Sequence, residues 1–121
     1  MRFFIFIILA GFTVPAIGQI DCSVLKKGKF QHIDVPNSWF VIEGNKHTEY
    51  LENGKYYIQS SLKWNSDCSY TTVLKKSTLP DFPYKPGDTM TVTFTKSEDG
   101  VIYFAAELKG EKMEGRIKKA E

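Results

Sequence analysis

From Gly28 to the end of the chain, apolar and polar residues alternate with a period of two, interrupted by short polar turns. No other feature constrains the fold as strongly. Successive side chains on a strand point to opposite faces, whereas a helix needs apolar residues three and four apart. Gly28 to Val35 reads as a first strand, Trp39 to Glu43 as a second, and Lys46 to Leu51 as a third after the turn-forming Gly44-Asn45. Asn53-Gly54 is a strong hairpin signal, because both residues tolerate the positive φ of a type I′ turn. Lys55 to Trp64 is the longest strand, with Tyr56, Ile58, Ser60, Leu62 and Trp64 on one face and Tyr57, Gln59, Ser61 and Lys63 on the other. Asn65-Ser66-Asp67 turns the chain into a ribbon that carries Cys68, Tyr70, Thr72 and Leu74.

Between Ser77 and Asp88 three prolines remove backbone donors and fix φ, which makes this stretch a rigid surface loop. Alternation then resumes: Met90, Val92 and Phe94 face one way, and Thr89, Thr91, Thr93 and Thr95 the other. Glu98-Asp99-Gly100 makes the next hairpin, Val101 to Leu108 the next strand, Lys109-Gly110 a turn, and Lys112 to Lys119 the last strand. Beyond the first residues no window has helical spacing of apolar residues over ten or more positions. The chain is therefore expected to be all-β, a small antiparallel meander of about eight strands. Closing into a lipocalin-like barrel or half-barrel buries the apolar faces and hides the edges. The alternative is a two-sheet sandwich, but Greek-key crossovers need a long return, and only the Pro-rich loop is long enough to make one.

The first residues have a different character. Arg2 is followed by an apolar stretch from Phe3 to Val14, and Ala16-Ile17-Gly18 offers small residues where a signal peptidase reads them. Residues 1–18 are expected to be a cleaved leader, with 19–121 forming a single disulfide-linked barrel domain. The apolar stretch is well short of the roughly 20 residues that span a membrane, so no stable membrane insertion is expected. Asp21 stands before Cys22, where a lipoprotein signal would place a small residue. In an exported chain with two cysteines, a disulfide between Cys22 and Cys68 is the simplest reading. It would close a loop of about 47 residues, for which chain entropy suggests stabilisation on the order of 4 kcal/mol. Localisation is then the periplasm or the outside of the cell.

Charge and motifs exclude several function classes. Sixteen Lys and Arg stand against fourteen Asp and Glu, with no basic stripe interleaved with aromatics, so no nucleic-acid partner is expected. No CxxC, Gly-x-Ser-x-Gly, phosphate loop or dinucleotide fingerprint occurs. His47 and Glu49 share a strand face as a base beside a carboxylate, and a metal site with His32 would require the first and third strands to meet in space. Neither arrangement has a spacing motif behind it. No catalytic residue, metal or cofactor is therefore assigned, and the protein is expected not to be an enzyme.

Cys22, Gly28-Lys29-Phe30, Gly44 to Tyr50, Asn53 to Ile58, Leu62-Lys63-Trp64 with Asp67-Cys68, and Pro80 to Asp88 together resemble a family of small exported flavobacterial proteins. The Trp-x-x-Asp-Cys element is the most specific part of that resemblance. Members often carry the label DNA topoisomerase IV, which does not suit an exported chain far too short for a strand-breaking or ATPase domain. The resemblance implies no established activity.

Aromatic residues make up 14% of the chain and are the stronger lead. An inward set of Tyr56, Ile58, Trp64, Tyr70, Val92 and Phe94 would either fill the barrel or line a pocket for an apolar ligand. Phe82, Pro83 and Tyr84 at the tip of the Pro-rich loop would form a lid or present an anchor to a partner. The expected function is a non-enzymatic binding module for a small apolar ligand or for an envelope or extracellular protein. The alternative is a small periplasmic or secreted inhibitor of a hydrolase.

Overall fold

The computed structural model describes residues 20–120, so the expected leader at 1–18 lies outside the described residues. A 3-10 helix, Cys22–Leu25, precedes eight strands: β1 (Gly28–His32), β2 (Trp39–Glu43), β3 (Lys46–Leu51), β4 (Tyr56–Ser66), β5 (Ser69–Ser77), β6 (Thr89–Glu98), β7 (Val101–Leu108) and β8 (Glu111–Lys119). Each strand pairs antiparallel with the next, and β8 returns to β1, which closes the barrel. The structure thus selects the meander barrel over the sandwich. Among the described residues no helix is long and apolar enough to cross a membrane.

Turn chemistry explains most of the connections, with some adjustments. Asp99-Gly100 and Lys109-Gly110 are two-residue turns with positive φ at both positions, as type I′ geometry demands. The expected Asn53-Gly54 turn is displaced by one residue. Glu52 and Asn53 take the central positive-φ positions, and the Gly54 amide donates to the Leu51 carbonyl. Gly54 follows with φ 90°, which makes a four-residue loop between Leu51 and its partner Tyr56. Strand β4 runs on to Ser66, because the turn falls at Asp67-Cys68 and Asn65 is absorbed as a bulge. Strand β1 stops at His32 instead of Val35. Asp34 leaves the ladder there to accept from the Arg116 backbone and guanidinium, and Asn37 adopts positive φ.

Strand direction gives the barrel two unlike ends. At the lower end, where the chain enters, the 3-10 helix is tied to the β4–β5 turn by the Cys22–Cys68 disulfide, with a Cα separation of 5.4 Å. Asp21 caps that helix by accepting from the Ser23 amide. Leu25, Phe30, Ile42, Leu62, Ile102 and Ile117 are buried there as an apolar plug. Trp64 belongs to this end as well: it packs edge-on against Tyr70 at 5.1 Å, and the Lys26 ammonium sits 3.4 Å over its ring. The upper end carries the β1–β2 and β3–β4 loops, the β7–β8 turn and the Pro-rich loop between β5 and β6. The closing seam is short, with only His32, Gln31 and Phe30 of β1 opposite Ile117, Lys118 and Lys119. It is extended by the Ile33 amide donating to the Arg116 carbonyl and by the Asp34–Arg116 ion pair at 2.6 Å.

Candidate ligand cavity

Above the plug the barrel is hollow. Inward side chains of the upper half leave two lobes, of about 210 Å³ and about 280 Å³, which lie side by side and share His47, Glu49, Met90 and Met113 in their walls. The first lobe is bounded by Phe40, Tyr70, Val92, Phe94 and Phe104, with His32, Asp34 and Arg116 toward its mouth. The second lies beneath the Pro-rich loop and is bounded by Ile58, Leu74, Leu79, Phe82, Tyr84 and Leu108. Met113 shows how open the upper half is. It points inward from β8, yet 44% of its surface remains exposed.

The aromatic set read from the alternation divides between cavity and plug. Tyr70, Val92 and Phe94 line the first lobe and Ile58 the second. Trp64 lies too far down its strand, in the plug, and Tyr56 is half-buried at the top of β4, where the Lys55 ammonium approaches its ring at 5.2 Å. Phe82 and Tyr84 meet edge to face at 5.4 Å and turn toward the second lobe, while Pro83 stays exposed. The Tyr84 hydroxyl donates to Glu111 at 2.8 Å, which fastens the loop to the start of β8. Of the two arrangements expected for this loop, the geometry is that of a cover.

Phe40, Met90, Phe104 and Met113 also line the cavity, although no motif singles them out. Phe40 and Phe104 alternate correctly on their strands, so periodicity alone was a sufficient signal for them. Gly115 carries information that only the tertiary structure reveals. A Cβ there would lie 2.6 Å from Cζ of Phe104, so the absent side chain is what lets the tip of that ring reach β8.

Polar groups are few and sit among these rings. Nε2 of His32 lies 2.5 Å from Oε2 of Glu49, a pair that reaches past Phe40 on the intervening strand. The first and third strands do therefore meet inside the barrel, as a site joining His32 to Glu49 required. Among the described residues, however, no group of three His, Cys, Asp or Glu side chains is arranged to hold a metal ion. His47 is buried and stacked on Phe40 at 4.8 Å, with the two rings nearly parallel. Burial pushes its pKa below the ordinary imidazole value, against the opposing pull of the Glu49 carboxylate, so the ring is neutral. Burial also pushes the Tyr70 hydroxyl far up, and the Glu49 charge adds to that shift, so it stays protonated. Ser60 and Thr72 are buried as well, with their side chains in the wall of the second lobe.

No protein-family model and no curated protein matches the chain. Its functional reading therefore rests on this geometry. The chamber has a floor, largely apolar walls, a cover and a small set of internal donors and acceptors, an arrangement suited to enclosing a small molecule.

Proposed function

We propose that this protein is an exported, non-enzymatic binding module that holds a small apolar ligand inside the barrel. The observation that carries this reading is the contrast between the two ends, one densely plugged and the other hollow beneath an aromatic cover. Core side chains normally pack like organic crystals, so an apolar void at the centre of a small domain is a cost to stability that a ligand offsets. Taken together, the lobes reach the lower part of the roughly 300–1,000 Å³ range of small-molecule sites. Export is supported by the leader-like first residues and by a disulfide that an oxidising compartment would keep. The inward turn of Phe82 and Tyr84 favours this reading over a hydrolase inhibitor, which would present such rings to its target.

The test is fluorescence of N-phenyl-1-naphthylamine, a neutral dye that brightens in apolar surroundings. Saturable brightening is expected with the native protein and is expected to be lost in Ala106→Phe, which fills the first lobe from the middle of β7. Absence of brightening, together with no small molecule carried through native mass spectrometry, would refute the proposal.

A further inference from the structure

The polar groups inside the barrel outnumber the partners the protein gives them. The Tyr70 hydroxyl is 2% exposed and makes no hydrogen bond among the described residues; its raised pKa comes from burial and from the Glu49 charge alone. The His47 ring is 5% exposed, and the one backbone group that favours its protonation is its own carbonyl. Both rings line the first lobe, with centroids 5.8 Å apart. Buried hydroxyls and imidazoles are almost always paired, so a phenol without a partner beside an imidazole whose one backbone partner is its own carbonyl marks a place where something else completes their hydrogen bonds.

The charges around them limit what that partner is. His32 is already taken by Glu49 and Arg116 by Asp34, so a carboxylate head would find no free cation and would face Glu49. An ammonium head fares no better, because Glu49 and Asp34 are held by those same partners and Glu114 stands at the exposed rim. A neutral oxygen suits both groups: a protonated phenol donates and accepts, and a neutral imidazole offers one donor and one acceptor. Beside them the Phe40, Phe94 and Phe104 rings provide flat apolar walls.

We infer that the cavity takes a small neutral amphiphile, with a cyclic apolar body against the three phenylalanines and a single hydroxyl or carbonyl oxygen held by Tyr70 and His47. This inference rests on the proposal that the barrel carries a ligand. It adds the chemical class of that ligand and the residues that select it.

Displacement of N-phenyl-1-naphthylamine by naphthalene, 2-naphthol and 2-naphthoate tests both readings and separates them. The expected order is 2-naphthol about tenfold tighter than naphthalene, with 2-naphthoate weakest, because a buried pair of donors favours the analogue that completes its hydrogen bonds. Tyr70→Phe keeps the ring that packs on Trp64, and His47→Phe keeps the stack on Phe40, so both variants preserve the packing. Each is expected to cut the preference for 2-naphthol to about threefold, and the double variant to about one, while naphthalene affinity is retained. Equal binding of 2-naphthol and naphthalene by the native protein would overturn the inference and leave the carrier reading intact, as would a preference that survives both substitutions. Tightest binding by 2-naphthoate would do the same. Failure of the dye to bind, together with no small molecule in native mass spectrometry, would overturn both, whereas a bound dye that none of the three probes displaces would overturn the inference alone.

Discussion

At the scale of single residues, two positions decide what the barrel interior does. The space a side chain would take at Gly115 is filled by the tip of the Phe104 ring, and that ring also walls the first lobe. Gly115→Ala is therefore expected to swing the ring into the cavity. The stability cost is roughly 1 kcal/mol, comparable to an off-rotamer aromatic, and dye binding is abolished; urea denaturation and dye titration read the two effects separately. His47 gives the protein a pH dependence whose sign follows from its burial. Its folded pKa lies below the unfolded value of about 6.5, so the unfolded chain binds more protons in the window beneath that value. The stability it contributes is complete above that pH and is lost as the pH falls toward the folded pKa. Replacing His47 by Phe, which keeps the stack on Phe40, is expected to flatten the urea midpoint between pH 7 and pH 5 relative to the native protein. An equally steep decline in the variant would locate the effect elsewhere.

Among the elements, the 3-10 helix has an influence out of proportion to its four residues. It closes the lower end with Leu25 and Cys22, and the disulfide joins it to the turn of the β4–β5 hairpin. Lys119 strengthens the closure by donating to the Val24 and Lys27 carbonyls. Replacing both cysteines by Ser is expected to lower stability by about 2–4 kcal/mol, measured as a shift of the urea midpoint, because the loop that the bond closes is long. The alternation made β2, β3, β7 and β8 legible to within a residue at each end, since a half-buried strand writes its two faces directly into the sequence. The misplaced end of β1 falls where a side chain outcompetes the ladder. Asp34 leaves β1 for Arg116, 82 positions away, and the turn after β3 slips by one residue so that Glu52 and Asn53 take the positive φ positions. Local propensity carries no record of such distant partners.

For the molecule as a whole, the division into plug and chamber predicts where it opens first. Amide exchange is expected to be slowest around Phe30, Ile42, Leu62, Ile102 and Ile117, which form the buried apolar lower layer. The loop from Thr78 to Asp88 and the first half of β8 are expected to exchange at least about tenfold faster, because they border the cavity and the short seam. Uniform protection around the barrel would contradict that division. By itself the sequence determined an all-β meander, the approximate places of its turns and the identity of the staple, because a period of two, glycine-bearing turns and paired cysteines each act over short range or by counting. It also showed that Tyr70, Val92 and Phe94 point inward. Whether those rings fill the barrel or line a space was decided only by the tertiary structure. Trp64 and Tyr70 stand opposite each other on neighbouring strands, yet only Tyr70 reaches the cavity wall; Gly115 gives Phe104 room against β8, and barrel closure sets His32 beside Glu49. A cavity is a property of facing strands, and periodicity along one strand cannot encode the distance across the barrel to the next.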